Sequence, residues 1–271
     1  YFLNILLLYK VLTKTHILSN MSREIKNKVI LITGGASGIG YGAAGAFLHN
    51  KALLVIILDI DEVQGNKAVH ELKSKYGQNK AVFFKCDVTK DLEVVWAKLI
   101  ATYNIDVLVN SAGIVDEKVP NRLIDINLTA LIQFSLKFMD QYRRDKSGDG
   151  GTIINVSSIY GTFTDPYFPV YQATKFGVLA FTKSLGNQVN FKRTGVRVLA
   201  LCPGFTKTKL AEVVKTWDDN LNIECAEYLN KFTWQTVDKV SDAFIEIFEE
   251  AESGSGWVID GGKPIREVDN F

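Results

Sequence analysis

Tyr171 and Lys175 stand four residues apart in Tyr171-Gln172-Ala173-Thr174-Lys175, and Ser158 lies thirteen residues upstream. On a helix, positions i and i+4 share a face, so this spacing sets the Lys175 ammonium beside the Tyr171 hydroxyl. A free tyrosine titrates near pH ~10, and a positive charge within about 4–6 Å favours the phenolate. The expected result is a Tyr171 acidity moved toward neutrality, where a side chain serves well as general acid and base. Ser158 adds a hydroxyl for the reacting oxygen. Together the three suit the proton half of a hydride transfer. Helices contain Tyr-x-x-x-Lys pairs by chance, so the surroundings carry the weight.

The elements that must position these side chains alternate along the chain. Val29 to Ile32 is a short β-branched run, followed by Gly34 to Gly40 and a helical pattern through Ala43, Phe47 and Leu48. Further strands are expected at Leu53 to Leu58, Ala81 to Lys85, Val107 to Asn110, Thr152 to Ser157, Val196 to Cys202 and Trp257 to Ile259. Helices are expected at Asp61 to Tyr76, Thr89 to Thr102, and near 121–145, 169–191 and 236–251. Strands separated by helices argue for a parallel sheet covered on both faces. The fold class is therefore α/β, a doubly wound, seven-stranded parallel sheet of Rossmann type in one domain over residues 22–271.

The glycine-rich turn Thr33-Gly34-Gly35-Ala36-Ser37-Gly38-Ile39-Gly40 follows a strand and opens a helix, the context of a phosphate cradle. Backbone amides at the helix N-terminus and the positive dipole end suit a pyrophosphate. Asp59 ends the second strand, about twenty residues on, where an acid accepts hydrogen bonds from an adenosine ribose. It also repels a 2′-phosphate, and the loop has no Lys or Arg to hold one, so NAD is expected over NADP. Asp87 and Val88 follow the third strand, placed to meet an adenine, although Asp87 or Thr89 also suits a helix cap. Asn110-Ser111-Ala112-Gly113 ends the fourth strand at the carboxyl edge where open α/β sheets bind ligands. Asn127 is polar within an apolar helical stretch and suits holding a water or a backbone kink near Lys175.

Thirty-one Lys and Arg against thirty Asp and Glu leave a formal charge of +1, which gives no electrostatic footprint for nucleic acid or an anionic membrane. A small molecule is the expected partner. Three cysteines without C-x-x-C spacing and three scattered histidines fit reduced thiols, no metal and a cytoplasmic protein. Phe2 to Leu12 is apolar but contains Lys10 and falls short of the ~20 residues that span a bilayer. Residues 1–21 are read as a non-native or disordered leader, with Met21 as the natural start.

With these residues in hand, the chain resembles the short-chain dehydrogenase/reductase family across about residues 27–262. The family's T-G-x-x-x-G-x-G turn falls on Thr33 to Gly40, its N-N-A-G segment on Asn110 to Gly113, and its catalytic Asn, Ser, Tyr and Lys on Asn127, Ser158, Tyr171 and Lys175. Pro203-Gly204 with Thr206 and Thr208 looks like the family's loop against the nicotinamide, and Asp260-Gly261-Gly262 like its final turn. One departure is Ser111, where the family usually has Asn.

The resemblance implies an NAD-dependent oxidoreductase acting between an alcohol and its carbonyl. Its dinucleotide would be held by Gly34, Ser37, Gly38, Ile39, Gly40, Asp59, Asp87, Val88, Asn110, Ala112, Gly113, Tyr171, Lys175, Pro203, Gly204, Thr206 and Thr208. It further implies a homodimer or homotetramer built on the helices near 121–145 and 169–191. The pattern is most similar to the branch of NAD-linked 15-hydroxyprostaglandin and insect alcohol dehydrogenases. Phe168 stands where the prostaglandin enzymes use a Gln to hold substrate, which argues against a prostaglandin here. Phe168, Phe205 and Trp217, with Phe163 and Tyr167, are candidates for an apolar substrate wall. A substrate lid is expected at 206–235, with Leu210, Val213, Trp217 and Phe232 as its apolar side chains. The competing readings are a catalytically silent dinucleotide-binding protein and a member of the related epimerase group, whose T-G-x-x-G-x-x-G turn this chain lacks.

Overall fold

The computed structural model describes residues 23–212 and 215–268. The expectations for the leader, Met21 and Val213 lie outside the described residues. Strand β1 (Val29–Thr33) leads into helix α1 (Gly38–His49), β2 (Leu54–Asp59), α2 (Glu62–Tyr76), β3 (Ala81–Lys85), α3 (Leu92–Ile100) and β4 (Val107–Asn110). Next come α4 (Pro120–Ile124), a π-helical turn (Asp125–Ala130), α5 (Leu131–Tyr142), β5 (Gly151–Val156), α6 (Pro169–Leu185), α7 (Gln188–Thr194) and β6 (Val196–Pro203). Helices α8 (Asn222–Leu229) and α9 (Val237–Glu250) precede β7 (Gly256–Ile259) and β8 (Arg266–Glu267).

The strands form one sheet in the order β3-β2-β1-β4-β5-β6-β7-β8. All neighbours pair in parallel except β7 and β8. The expected doubly wound parallel sheet is present, with a two-residue antiparallel strand added at the edge that the sequence pattern did not register. Side chains alternate across each strand, so one sequence supplies two cores. Ile30, Ile32, Ile57, Val109 and Ile154 pack with Phe47 of α1 and Phe244 and Phe248 of α9. Leu31, Ile56, Leu58, Leu108 and Ile153 pack on the other face with Trp96 of α3 and Phe134 and Phe138 of α5.

Chain order reverses between β1 and β4, so the crevice beyond their carboxyl ends is the fold's switch point for a ligand. Thr33 closes that edge: its Oγ1 accepts from the amides of Ser111 and Ala112 at 3.1 and 3.3 Å. Two expected helices are interrupted near it. The span 121–145 is broken by the π-helical turn around Asn127, and 169–191 breaks after Leu185 at Gly186, which lies against Gly254. Helix α3 starts later than expected because Asp87 and Thr89 build a turn ahead of it: Asp87 Oδ1 accepts from the Thr89 amide and hydroxyl. Among the described residues no helix is long and apolar enough to cross a membrane.

Candidate active site

Beyond the carboxyl edge lies a cleft of about 2130 Å³. Its floor is the turn into α1. Ser37 takes the N-cap position without a side-chain bond, and the first helical turn has no acidic residue, so its amide donors are left for a ligand. Gly38 has φ +53°, and a Cβ there would meet only Thr208 at 3.5 Å, leaving the backbone bare toward the cleft. Asp59 braces this turn as well as lining the cleft: its Oδ2 accepts from Ala36 N at 3.1 Å and its Oδ1 from Asp61 N at 3.1 Å. Asp61, not Asp59, caps α2.

At the other end, the end of β5 and the turn after it grip Lys175. Its Nζ donates to Val156 O at 3.0 Å, and Ser157 Oγ donates to Lys175 O at 2.8 Å. Lys175 Nζ lies 5.5 Å from the centre of the Tyr171 ring. Ser158, whose Oγ accepts from Tyr160 N at 3.1 Å, stands near enough to the Tyr171 hydroxyl to act on its pKa. Three side chains from β5–α6 thus converge on one wall of the cleft.

The electrostatics differ from the expectation drawn from spacing. Burial pushes Tyr171 up to about 12, with the Ser158 hydrogen bond acting in the opposite direction. Burial likewise pushes Lys175 down to about 8. Loss of solvation outweighs the i, i+4 pairing at both groups, so the spacing alone does not bring the phenol toward neutrality.

Asn127 sits in the π-helical turn, fully buried, and exchanges two bonds with the backbone of Ile114: Nδ2 donates to Ile114 O and Oδ1 accepts from Ile114 N, both at 2.8 Å. It therefore fixes the chain just past Gly113, between Asn127 and Lys175. The Asn110 side chain points away from the cleft. Its Nδ2 donates to Ser135 Oγ and Asn155 Oδ1 at 2.9 Å, inside the sheet. The cleft takes Ser111, Ala112 and Gly113 from that segment instead.

Gly34, Ile39, Gly40, Asp87, Val88, Pro203, Gly204, Thr206, Thr208, Phe168 and Phe205 all line the same cleft. The segment after β6 is folded onto itself by Thr206 Oγ1, which donates to Gly204 O at 2.9 Å. Asp87 is held ionised by Thr89 and Lys90. Trp217 is not brought to the cleft. It is about half exposed, and its indole N–H donates to Pro166 O at 3.0 Å.

Three residues escaped the sequence reading. Tyr160 lies beside Phe163, Phe168, Tyr171 and Phe205 at the centre of the aromatic wall. Its only signal was its place two residues past Ser158. Trp234 takes the place expected of Trp217, with its ring 5.6 Å from Phe205. Glu117 caps the helix that carries Tyr171, and the missing cap at Phe168-Pro169 was the clue to it.

Comparison with known proteins agrees with this geometry. The short chain dehydrogenase family matches residues 28–219. A rat protein named 15-hydroxyprostaglandin dehydrogenase (NAD(+)) is 34% identical over 195 residues, covering 71% of this chain and 73% of the relative. Alcohol dehydrogenase 1 of Ceratitis cosyra is 30% identical over 244 residues, covering 88% and 94%. Among solved structures, a 3-ketoacyl-(acyl-carrier-protein) reductase from Brucella melitensis complexed with NADH superposes with a TM-score of 0.72 at 25% identity, over 88% of this chain and 98% of that one. The chain belongs to the short-chain dehydrogenase family.

Proposed function

We propose that the protein is an NAD-dependent oxidoreductase that interconverts an apolar primary or secondary alcohol and its carbonyl, with Tyr171 as acid and base. The observation that carries this reading is the meeting of Tyr171, Ser158 and Lys175 on one wall of a cleft whose floor is an open helix N-terminus. The residues present fit a dinucleotide: free amides at α1 for the pyrophosphate, and Asp59 at the end of β2 for the ribose. The rat relative carries NAD(+) in its name, and the Brucella structure is complexed with NADH.

Bound there, NAD supplies the hydride acceptor and, in its oxidised ring, a positive charge that favours a phenolate nearby. Tyr171 takes the hydroxyl proton of the alcohol, and Ser158 hydrogen-bonds the same oxygen. Lys175 holds the phenolate and binds the ribose hydroxyls of the cofactor. Asn127 keeps one N–H and one lone pair free of Ile114 for an ordered water that relays the proton outward. Phe168, Phe205, Tyr160 and Trp234 favour an apolar substrate, and Phe168 in place of a Gln speaks against prostaglandins. Segment 206–235 acts as the lid, and a homodimer or homotetramer forms through α5 and α6, where Leu136 of α5 is exposed.

The test is NADH absorbance during incubation with NAD and a panel of aliphatic, terpenoid, steroid and prostanoid alcohols, with NADP in parallel. NAD-linked oxidation of an apolar alcohol is the expected result. NADH binding without turnover of any alcohol would favour a dinucleotide-binding protein without this activity.

A further inference from the structure

Helix α6 starts in a way that leaves it short of a cap. Phe168 occupies the N-cap and has no acceptor on its side chain, and Pro169 at the first helical position has no N–H. The Gln172 amide is already bonded to Phe168 O at 2.9 Å. Two donors remain, Val170 N–H and Tyr171 N–H, and the second belongs to the residue assigned the proton transfer.

Both are taken by one carboxylate from more than fifty residues upstream. Glu117 Oε1 accepts from Tyr171 N at 2.7 Å, and Oε2 accepts from Val170 N at 3.1 Å. Glu117 is 5% exposed and, among the described residues, has no cation within ion-pair distance. A buried carboxylate without a counter-ion is costly, and here the two amides and the positive end of the helix offset that cost. Burial pushes its pKa up and the two amides pull it down, with burial the larger. A cap needed only for stability could be supplied by Ser or Asp at position 168, where this chain instead keeps an aromatic ring in the cleft wall.

The neighbours of Glu117 tie it to the segment that follows β6. Asp116 pairs with Lys215 at 2.6 Å, and Lys118 pairs with Asp219 at 2.9 Å and donates to Trp217 O at 3.2 Å. Glu117 N donates to Lys215 O at 3.3 Å. Residues 116–118 are thereby anchored from outside while the Glu117 side chain reaches inward.

We propose that Glu117 is a positioning residue for Tyr171: its bidentate grip on the first turn of α6 sets where the phenol stands relative to Ser158 and Lys175. The proposal rests on Tyr171 being the proton carrier. The test compares the full-length wild type with Glu117→Gln, which keeps one acceptor, and Glu117→Ala, which keeps none. NADH binding by fluorescence counts competent sites, kcat and KM are expressed per site, and hydrogen exchange is followed at 169–173.

The expected result is a graded fall in kcat per NADH-binding site, about 10-fold for Gln and about 100-fold or more for Ala. KM and NADH affinity stay close to wild type, and exchange at Val170 and Tyr171 becomes faster. A purely structural role would lower the number of binding sites and the unfolding temperature while leaving kcat per site unchanged, and that result overturns the proposal. If Glu117→Ala does not fold, Glu117→Gln alone decides: unaltered exchange at Tyr171 or unaltered kcat per site refutes it. An active wild type with an equally active Glu117→Gln sinks this proposal alone. Loss of turnover in neither Glu117→Gln nor Tyr171→Phe sinks the proton-carrier reading as well.

Discussion

The Cα of Gly40 faces the carbonyl oxygen of Gly34 so closely that a Cβ on Gly40 would lie 2.3 Å from it. Backbone meets backbone there, and neither can step aside. Gly40→Ala is expected to cost ~3 kcal/mol or more and to lower the unfolding temperature sharply in a thermal melt. Gly38→Ala has room for its methyl but must hold a φ of +53°. It should cost only ~1–2 kcal/mol while obstructing the pyrophosphate, so NADH binding falls by more than the melt does.

Lys175 links pH to stability in the opposite sense to an ordinary lysine. Its folded value is pushed by burial from 10.5 down to about 8, so between those pH values the unfolded chain holds a proton that the folded chain has released. The Lys175 contribution to stability therefore rises with pH across that window, and below pH ~8 the full penalty stands, on the order of 3 kcal/mol. Lys175→Met removes the penalty along with the bond to Val156 O, worth ~1 kcal/mol. Chemical denaturation should find this variant more stable than wild type by roughly 2 kcal/mol at pH 7, with the gain vanishing by pH ~10.5. A constant difference across pH 7 to ~10.5 would refute a buried Lys175 with a lowered pKa.

Asp59 supports the glycine turn with the carboxylate that the proposed function places beside the ribose. Asp59→Asn keeps an oxygen for the Ala36 amide but removes the negative charge. The ratio of NADP to NAD in kcat/KM is expected to rise at least ~10-fold, read from paired NADH and NADPH assays.

The aromatic wall separates two tryptophans. Trp234 lines the cleft against Phe205, whereas Trp217 sits outside with its indole on Pro166. Trp234→Ala should raise KM for an apolar alcohol by about 10-fold through lost burial. Trp217→Ala should leave that KM unchanged.

How much of this was legible in the sequence follows from the range of the interactions. The sheet was readable because short apolar, β-branched runs such as Val29–Thr33 separated by helical patterns are a local signal, and the glycine turn was readable because its strand-before, helix-after context is also local. The Tyr171–Lys175 pairing was visible from spacing, but its acidity was not, because burial depends on every element packed above it. Asn110 carried the right type at the sheet edge, yet its amide is committed to Asn155 and Ser135, partners 45 and 25 residues away. Glu117 had no local pattern, since its acceptors answer donors more than fifty residues downstream. Trp217 and Trp234 are both aromatic residues in a loop-rich stretch, and only the path of the chain after β6 separates them.

The most direct test of the central claim is the turnover of Tyr171→Phe beside wild type, assayed with NAD and the best alcohol of the panel. The phenol proton is lost while the ring and its packing stay. The account predicts NADH affinity and unfolding temperature close to wild type with turnover reduced at least ~100-fold. Turnover equal to wild type would contradict it and remove Tyr171 from the proton transfer.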